Sequence, residues 1–410
     1  MEDLMLAFPV APDTRRLLAI VLALIMAGCS SSGGGSSTTT PPPAETNITG
    51  RIHPLGTEIT DAQEVIVYAH ALDENNAPLS ATELQELLEE ATLCQNSSVT
   101  PIGSELEEAT FCQNGSATPI GPELIEVTQL TDGAQPLDPT YSATGKPLVS
   151  LSFITDYSYS MPEESLRTME VIYTAILDNL PQVFQAQVID YSQNFRYRTT
   201  ASGNAAEGTL DPIVDPPIFT GDLETLRAAV KYIPDPKKDD TNDPTRFRTA
   251  SALYNALGTA FFGPREVQSS NSGLFGECTP VHAFILSSDG ENRLDQGSNH
   301  YTLDGLVADI ETHRAFPVVL ATETTVSDLE TLKTIAARGI YIYNPSLDAM
   351  TELATNYARS LGNIVRIRID TTGLDIVRPI DRQNAALEIK SRLSDTPLRI
   401  DLQGFSCAPQ

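Results

Sequence analysis

Three oxygen-bearing side chains follow the end of a short apolar segment near the middle of the chain. Residues 148–154 have the length and composition of a buried strand. Asp156, Ser158 and Ser160 come next at alternate positions, and alternate residues of an extended segment point to the same side. One carboxylate and two hydroxyls can therefore converge where the strand ends. Hard oxygens with a single charge suit a divalent cation such as Mg²⁺, so the spacing predicts a metal site that another molecule completes.

Two later segments carry side chains that could belong to the same site. Residues 251–262 are predicted to form a helix, and hydroxyl groups stand at Thr249 and Ser251, where this helix begins. Residues 282–287 have the composition of a second buried strand, and this strand leads into Ser288, Asp289 and Gly290.

These segments belong to a long stretch in which predicted strands alternate with predicted helices. The first helix follows Pro162 and presents apolar residues at three- and four-residue spacing from Leu166 to Leu180. Further strands are predicted at residues 184–191, 195–200, 316–320 and 340–343, and further helices at residues 222–232, 303–314, 326–338 and 347–361. This alternation indicates an α/β fold, with a mostly parallel sheet covered by helices on both faces.

The three motifs, taken in order, resemble the metal-ion-dependent adhesion site of von Willebrand factor type A domains. The pattern Asp156-X-Ser158-X-Ser160 is similar to the first motif of that site. Residues 249–257 are similar to the second motif, and residues 288–290 to the third, which is usually Thr-Asp-Gly. The resemblance covers residues 148–362. It implies a doubly wound, mostly parallel six-stranded sheet, with the metal at the carboxyl edge of the strands.

The resemblance also implies a role for each residue of the site. The expected oxygen ligands of Mg²⁺, or of Mn²⁺ or Ca²⁺ in its place, are Asp156, Ser158, Ser160 and Ser251. Asp289 would hold a coordinating water. Ser251 stands where the family has a threonine, and Thr249 is the alternative for this position. One open coordination position would accept an Asp or Glu carboxylate of a protein partner, because neutral hydroxyls leave the cation strongly electrophilic.

The function that this resemblance implies is protein binding, in adhesion or in surface assembly. The alternative is an envelope scaffold with a degenerate site that holds no metal. An enzyme is not expected, because the sequence contains no Gly-X-Ser-X-Gly elbow, phosphate-binding glycine loop, His-Glu-X-X-His pair or Cys-X-X-Cys pair.

Length and charge limit the domain count and the classes of partner. The chain has 410 residues, which is too many for one ordinary core and predicts two domains beside any tail. Its net charge of −28 would repel nucleic acid and anionic lipid, so neither is expected as a partner. Cations and basic protein surfaces are favoured instead.

The N-terminal residues are typical of an export signal. Residues 17–26 form an apolar run after a pair of arginines, and this run is too short to span a bilayer. Residues 27–29, Ala-Gly-Cys, resemble the lipobox of bacterial lipoproteins, which implies that Cys29 is acylated. Ser30 in the next position resembles sorting to the outer membrane.

This pattern predicts a signal peptide over residues 1–28 and a lipidated flexible tether over residues 29–45. The tether is rich in Ser, Gly, Thr and Pro and cannot bury apolar surface. We therefore expect a protein of the bacterial cell envelope, anchored in the outer membrane and in contact with that membrane through its lipid alone.

The regions that flank residues 148–362 have the character of β structure. Residues 46–147 begin with β-branched segments and contain a tandem duplication, in which residues 89–103 recur as residues 107–121. We expect this duplication to form a surface loop. Apolar and polar residues alternate within residues 363–410, which is typical of half-buried strands. The two flanks are predicted to build a smaller β-rich second domain.

Four cysteines remain in the chain after Cys29. An even number in an exported protein indicates two disulfides, and three connectivities are open. We favour a local pair, Cys94–Cys112, and a second pair, Cys278–Cys407, that ties the C-terminal tail to the main domain.

Overall fold

The structure is a computed structural model that describes most of the chain after residue 42. The described residues are 43–46, 51–60, 64–75, 77–95, 116–132, 148–181, 183–192, 195–200, 219–234, 250–262, 281–293, 301–313, 315–322, 326–344, 346–372 and 385–402.

The described strands are β1 (Glu45–Thr46), β2 (Ile52–Ile59), β3 (Val65–Ala71), β4 (Leu88–Gln95), β5 (Ser116–Ile120), β6 (Ile125–Gln129), β7 (Val149–Asp156), β8 (Phe184–Tyr191), β9 (Phe195–Tyr197), β10 (Val281–Ser288), β11 (Phe316–Ala321), β12 (Ile340–Tyr343), β13 (Val365–Ile369), β14 (Ala385–Ser391) and β15 (Ser394–Asp401). The described α-helices are α1 (Ala81–Leu87), α2 (Glu163–Leu177), α3 (Leu223–Ala229), α4 (Leu253–Phe262), α5 (Leu303–His313), α6 (Val326–Ile335) and α7 (Leu347–Leu361).

A seven-stranded sheet forms the centre of the fold, in the order β1-β12-β11-β10-β7-β8-β9. Neighbouring strands from β12 to β8 run parallel, whereas β1 and β9 pair antiparallel at the two edges. Strands β7 to β12 are the six strands that the sequence predicts. The seventh, β1, spans the boundary between the predicted tether, which ends at Glu45, and the predicted β-rich region, which begins at Thr46. An ion pair of 2.6 Å between Glu45 and Lys333 accompanies its pairing.

Helices cover both faces of this sheet, so the predicted doubly wound α/β architecture is confirmed. One face packs against α2, α3 and α7, through residues such as Phe153 and Ile172. The other face packs against α4, α5 and α6, through residues such as Ile154 and Leu257. All eight residues of β7 are buried, as expected for a central parallel strand. Its two buried serines, Ser150 and Ser152, each accept a hydrogen bond of 2.8 Å from a glutamine of β8.

Strands from both flanks build a second β-rich part. One four-stranded sheet has the order β2-β3-β13-β6, and another has the order β15-β14-β4-β5. Strand β13 lies between β3 and β6 and pairs antiparallel with both. Apolar residues of the two sheets, such as Val67, Leu93 and Leu387, share one core. The predicted combination of N- and C-terminal strands is therefore present.

The duplicated segment corrects one expectation, because its outer ends are strands and not a surface loop. The first copy begins within β4. The second copy contains β5, which ends one residue before the copy does and pairs antiparallel with β4. Ala91 and Ile120 face each other across this pair and are both buried. Burial of these apolar residues in the shared core holds the two ends in the sheet. The intervening residues 96–115 lie outside the described part of the chain.

Cys94 is buried in β4 and is disulfide-bonded. The other cysteines, Cys29, Cys112, Cys278 and Cys407, lie outside the described residues, so the pairing of Cys94 with Cys112 stays a prediction. The predicted signal peptide and most of the tether also lie outside the described residues. Within the described residues, no helix has both the length and the apolar character needed to cross a membrane.

Candidate metal-binding site

The three sequence motifs meet at the point of the central sheet where the strand order changes from one side of β7 to the other. From β7 the chain adds β8 and β9 on one side, and it then returns to place β10 on the other side of β7. Asp156 is the last residue of β7, and Ser288 is the last residue of β10. Ser251 lies two residues before α4, a helix that covers one face of the sheet. Open α/β sheets bind ligands at such a switch point, beyond the carboxyl ends of the strands.

The carboxylate of Asp156 is the centre of the cluster and is fully buried. Its Oδ1 atom accepts a hydrogen bond of 2.7 Å from the backbone N–H of Ser158. Its Oδ2 atom lies 3.2 Å from the hydroxyl of Ser251, 3.0 Å from that of Ser288 and 3.0 Å from that of Tyr191. Groups from three distant parts of the chain thus converge on one side chain.

A second set of contacts leads from this carboxylate toward solvent. The hydroxyls of Ser158 and Ser160 are 3.0 Å apart, and Ser160 also donates a hydrogen bond to the carboxylate of Asp289. Ser158 is buried, whereas Ser160 is exposed. The structure therefore brings together Asp156, Ser158, Ser160, Ser251 and Asp289, all five residues that the sequence predicts for the site. Thr249, the alternative to Ser251, lies outside the described residues.

Two residues of this cluster were not predicted. Ser288 belongs to the third motif, in which the sequence predicts a role for its neighbour Asp289 alone. Ser288 is the last residue of the buried strand β10, one residue beyond the pairing of Ser287 with Thr155 on β7. Tyr191 gave no local signal. It joins the cluster because β8 pairs with β7 in a register that places Tyr191 opposite Asp156.

The electrostatics of the cluster are unfavourable to ionised carboxylates. Burial, together with the nearby charge of Asp289, raises the pKa of Asp156 to about 7. Burial likewise raises the pKa of Asp289, and the charges of Glu291 and Asp328 act in the same direction. A cation placed between such carboxylates would offset both their desolvation and their mutual repulsion.

Tyr157, which lies between Asp156 and Ser158 of the first motif, anchors this loop through contacts of its ring. The ring of Tyr157 stacks on that of Tyr232 at 6.2 Å, and the guanidinium of Arg196 lies 4.9 Å from its centre. Arg196 and Arg198 each form an ion pair of 2.7 Å with the buried carboxylate of Asp190. These contacts fix the loop while the residues on either side of Tyr157 contribute to the cluster.

The third motif requires glycine at its last position. Gly290 has a φ angle of 83°, and a Cβ atom added there would lie 2.5 Å from the backbone oxygen of Asp328. Only glycine adopts this conformation without strain at such a close approach. The N–H of Gly290 donates a hydrogen bond of 3.0 Å to Ser288. The tight turn thus holds Ser288 and Asp289 at the cluster.

The donor set fits a hard divalent cation. Hydroxyl and carboxylate oxygens are the ligands that Mg²⁺, Mn²⁺ and Ca²⁺ prefer. Serine hydroxyls account for most of the cluster, and no group of three or more His, Cys, Asp or Glu side chains suited to a metal occurs within the described residues. The arrangement differs in this respect from sites built on imidazole or thiolate.

Comparison with known proteins gave similarity to solved structures only. No profile of a known protein family and no curated protein matches the sequence. Proximal thread matrix protein 1 from the mussel byssus is 14% identical, with a TM-score of 0.34; the alignment covers 55% of this chain and 48% of that protein, about half its length. A second structure of the same mussel protein has a zinc-occupied metal-ion-dependent adhesion site (MIDAS) motif. This structure is 15% identical, with a TM-score of 0.32, and the alignment covers 55% of this chain and 48% of that one.

A bacterial protein of similar structure aligns over nearly its whole length. BatB from Bacteroides thetaiotaomicron is 14% identical, with a TM-score of 0.33, and the alignment covers 52% of this chain and 98% of that one. All these TM-scores are low, so the assignment depends on the strand order, the positions of the motifs and the contacts between them. By these features, the part of the chain from β7 to α7 has a von Willebrand factor type A-like fold.

Proposed function

We propose that this domain binds a divalent cation through Asp156, Ser158, Ser160, Ser251 and Asp289, and that it uses the cation to bind another protein. Mg²⁺ is the expected ion, with Mn²⁺ or Ca²⁺ as substitutes. When bound, the cation would offer a coordination position to a carboxylate oxygen of the partner. The observation that carries this proposal is the convergence of five oxygen-bearing residues from three separate motifs at the switch point of the sheet.

The chemistry of the cluster favours capture of a carboxylate over catalysis. Serine hydroxyls bring no charge to a cation, so its attraction for an incoming Asp or Glu side chain stays strong. Hydrolytic metal sites instead use His or several carboxylates to activate water. We therefore propose a binding protein and not an enzyme. The chain's net charge of −28 argues for a protein partner over a nucleic acid.

The place of action that we propose is the bacterial cell envelope. The support is the N-terminal sequence, in which an apolar run ends at Cys29 in a lipobox-like context and is followed by a low-complexity tether. A lipid on Cys29 would keep the domain at the membrane surface, in adhesion or in surface assembly.

Capture of partners from envelope extracts tests this function. Full-length protein should retain a partner in Mg²⁺ and lose it in EDTA, and Asp156→Ala should lose it in both conditions. Asp304→Asn is the matched control, because Asp304 is an exposed acid on α5 of the same domain. A partner that survives both EDTA and Asp156→Ala would contradict the proposal.

A second candidate is a scaffold whose site holds no metal. The observation that favours it is that both oxygens of Asp156 already accept hydrogen bonds from the protein, with three hydroxyls at Oδ2 and one N–H at Oδ1. Such a network could stand as a purely structural cap. A scaffold predicts that Mg²⁺ and Mn²⁺ leave the melting temperature unchanged, since an ion that binds the folded state raises it.

A further inference from the structure

We propose that Tyr191 is a positioning residue of the candidate metal site, because its phenol hydroxyl fixes the orientation of the Asp156 carboxylate. This inference rests on the proposed function, since it concerns how the same site holds its cation. It assigns a role to a residue that lies outside all three sequence motifs.

The hydroxyl of Tyr191 forms a triangle with two motif side chains. Its oxygen lies 3.0 Å from Oδ2 of Asp156 and 3.1 Å from Oγ of Ser288. The hydroxyl of Ser288 is in turn 3.0 Å from the same Oδ2 atom. The three oxygens are thus mutually within hydrogen-bond distance, and the triangle joins the first motif to the third.

The backbone of Tyr191 holds the same motif. Its carbonyl oxygen accepts a hydrogen bond of 2.6 Å from the N–H of Tyr157, directly after Asp156. Its ring is fully buried among apolar residues of the α4 face, which include Ile154 and Leu253. A side chain that is packed this tightly has little freedom to move its hydroxyl. Tyr191 therefore acts as a rigid support for Asp156.

A second buried tyrosine provides a natural contrast. Tyr173 on α2 is also buried, and its hydroxyl lies 3.3 Å from the backbone oxygen of Ile154 and 3.3 Å from Oγ1 of Thr155. It therefore contacts the same strand, one and two residues before the motif, without contacting Asp156. The two tyrosines have similar burial and hydrogen bonding, but only Tyr191 bonds to the cluster.

The consequence for the site follows from the hydrogen bonds of Oδ2. The hydroxyls of Tyr191 and Ser288 both lie within hydrogen-bond distance of Oδ2 and hold the carboxylate of Asp156 in one orientation. In this orientation, the hydroxyl of Ser251 donates a hydrogen bond of 3.2 Å to the same oxygen. A hydroxyl that donates its proton in this way keeps its lone pairs for a cation. Residues that orient metal ligands through hydrogen bonds commonly raise the metal affinity by roughly 10- to 100-fold.

Titration of the full chain with Mn²⁺, followed by electron paramagnetic resonance, tests this role. Tyr191→Phe removes the hydroxyl and keeps the ring, and we expect it to weaken Mn²⁺ binding by roughly 10- to 100-fold. Tyr173→Phe should leave the affinity within about threefold of wild type, although both changes remove one buried hydroxyl. The resonance of the bound ion should change shape in Tyr191→Phe and stay unchanged in Tyr173→Phe.

A double-mutant cycle of Tyr191→Phe with Ser288→Ala measures whether the two losses of Mn²⁺ affinity are coupled. A merely structural role of Tyr191 would not produce this coupling. If both hydroxyls act through the Asp156 carboxylate, their separate losses of affinity should not add. Equal Mn²⁺ affinity in Tyr191→Phe and wild type, or an equal loss in Tyr173→Phe, would overturn the positioning role and leave the proposed function intact. Failure of the wild-type protein to bind Mn²⁺ would overturn both.

Discussion

Asp156 is the residue at which burial, charge and hydrogen bonding meet. Its side chain is fully enclosed, its Oδ2 atom faces three hydroxyls, and the carboxylate of Asp289 lies close enough to influence its pKa. An ionised carboxylate in such a place costs stability unless a positive charge accompanies it. Below about pH 7, the protein without metal should therefore favour a protonated Asp156, whereas a bound cation would favour the ionised form.

The stability of the metal-free protein should therefore depend on the protonation of Asp156. The pKa of Asp156 is raised to about 7 from an ordinary value of 3.8, so between these values the folded state binds the proton that the unfolded state has lost. Stability should then rise as the pH falls from 7 toward 4, by this group's contribution. Thermal unfolding in EDTA should show this trend in wild type relative to Asp156→Asn, which carries no titratable group there. An identical pH dependence in the two proteins would contradict the shift.

Ser251 and Ser288 show what could be learned from the residue pattern. The pattern placed Ser251 at the start of a helix, and its hydroxyl indeed reaches Asp156. Ser288 and Tyr191 reach the same oxygen, but their contribution depends on the register of β10 and β8 against β7. Register is a long-range property, because it is set by packing across the whole sheet. The short-range spacing of residues therefore predicts the metal-binding motifs, but it does not predict that Ser288 and Tyr191 contact Asp156.

At the scale of elements, periodicity predicted the α/β part closely. The strands β8 and β12 and the helix α7 have the predicted bounds. The two strands are fully buried segments and the helix is amphipathic, and each lies between residues that interrupt regular structure. The helix α3 is shorter than predicted at both ends. Asp222 is its N-cap, whose carboxylate accepts hydrogen bonds from the N–H groups of Glu224 and Thr225, and the helix ends at Ala229 with Val230 as its C-cap. The strand β1 was missed because it has only two residues and depends entirely on its partner β12.

The β8–β9 hairpin carries a buried ion cluster that supports the first motif. Asp190 on β8 pairs with Arg196 and Arg198, and all three residues are buried. Because the guanidinium of Arg196 also lies against the ring of Tyr157, this cluster links the hairpin to the loop after β7. The arrangement contains one more positive charge than negative, so loss of the single carboxylate would leave two buried cations without their shared partner.

We therefore expect Asp190→Asn to destabilise the protein strongly. Breaking a buried ion pair by removing one partner costs about 3–5 kcal/mol of unfolding free energy. Asp178→Asn is the matched control, because Asp178 pairs with Arg227 at the surface, where such pairs contribute about 0–1 kcal/mol. Chemical denaturation of the two variants would measure the difference. Equal and small effects would show that the buried cluster does not stabilise the hairpin.

At the scale of the whole molecule, a buried histidine pair lies where the β-rich part meets the α/β part. His53 on β2 and His70 on β3 face each other in the sheet, with ring centres 6.5 Å apart. The ring of Phe316 on β11 approaches His53 at 6.2 Å, and that of Tyr357 on α7 approaches His70 at 4.9 Å. Neighbouring apolar residues of β2 and β3 belong to the same core as β11 and α7. No local residue pattern indicates this contact, because it joins strands of one sheet to a strand of another sheet and to a helix.

This contact should weaken in acid. Burial lowers the pKa of His53 to about 3 from 6.5, with smaller contributions from the charges of Arg51 and His70. Between these pH values the unfolded state binds a proton that the folded state excludes, so stability should fall as the pH drops below 6.5. His53→Leu should unfold less steeply with acid than wild type, in the opposite sense to Asp156→Asn. Parallel acid-unfolding curves for wild type and His53→Leu would contradict this prediction.

Titration calorimetry of the full-length protein with Mg²⁺ and Mn²⁺ tests the metal site itself most directly. Wild type and Asp304→Asn should bind one ion per chain with the same affinity, whereas Asp156→Ala should show no binding. The melting temperature should rise with ion concentration in the first two proteins alone, because the ion stabilises only the folded state. Absence of binding heat in wild type, or equal binding in Asp156→Ala, would contradict a metal site at this edge of the sheet.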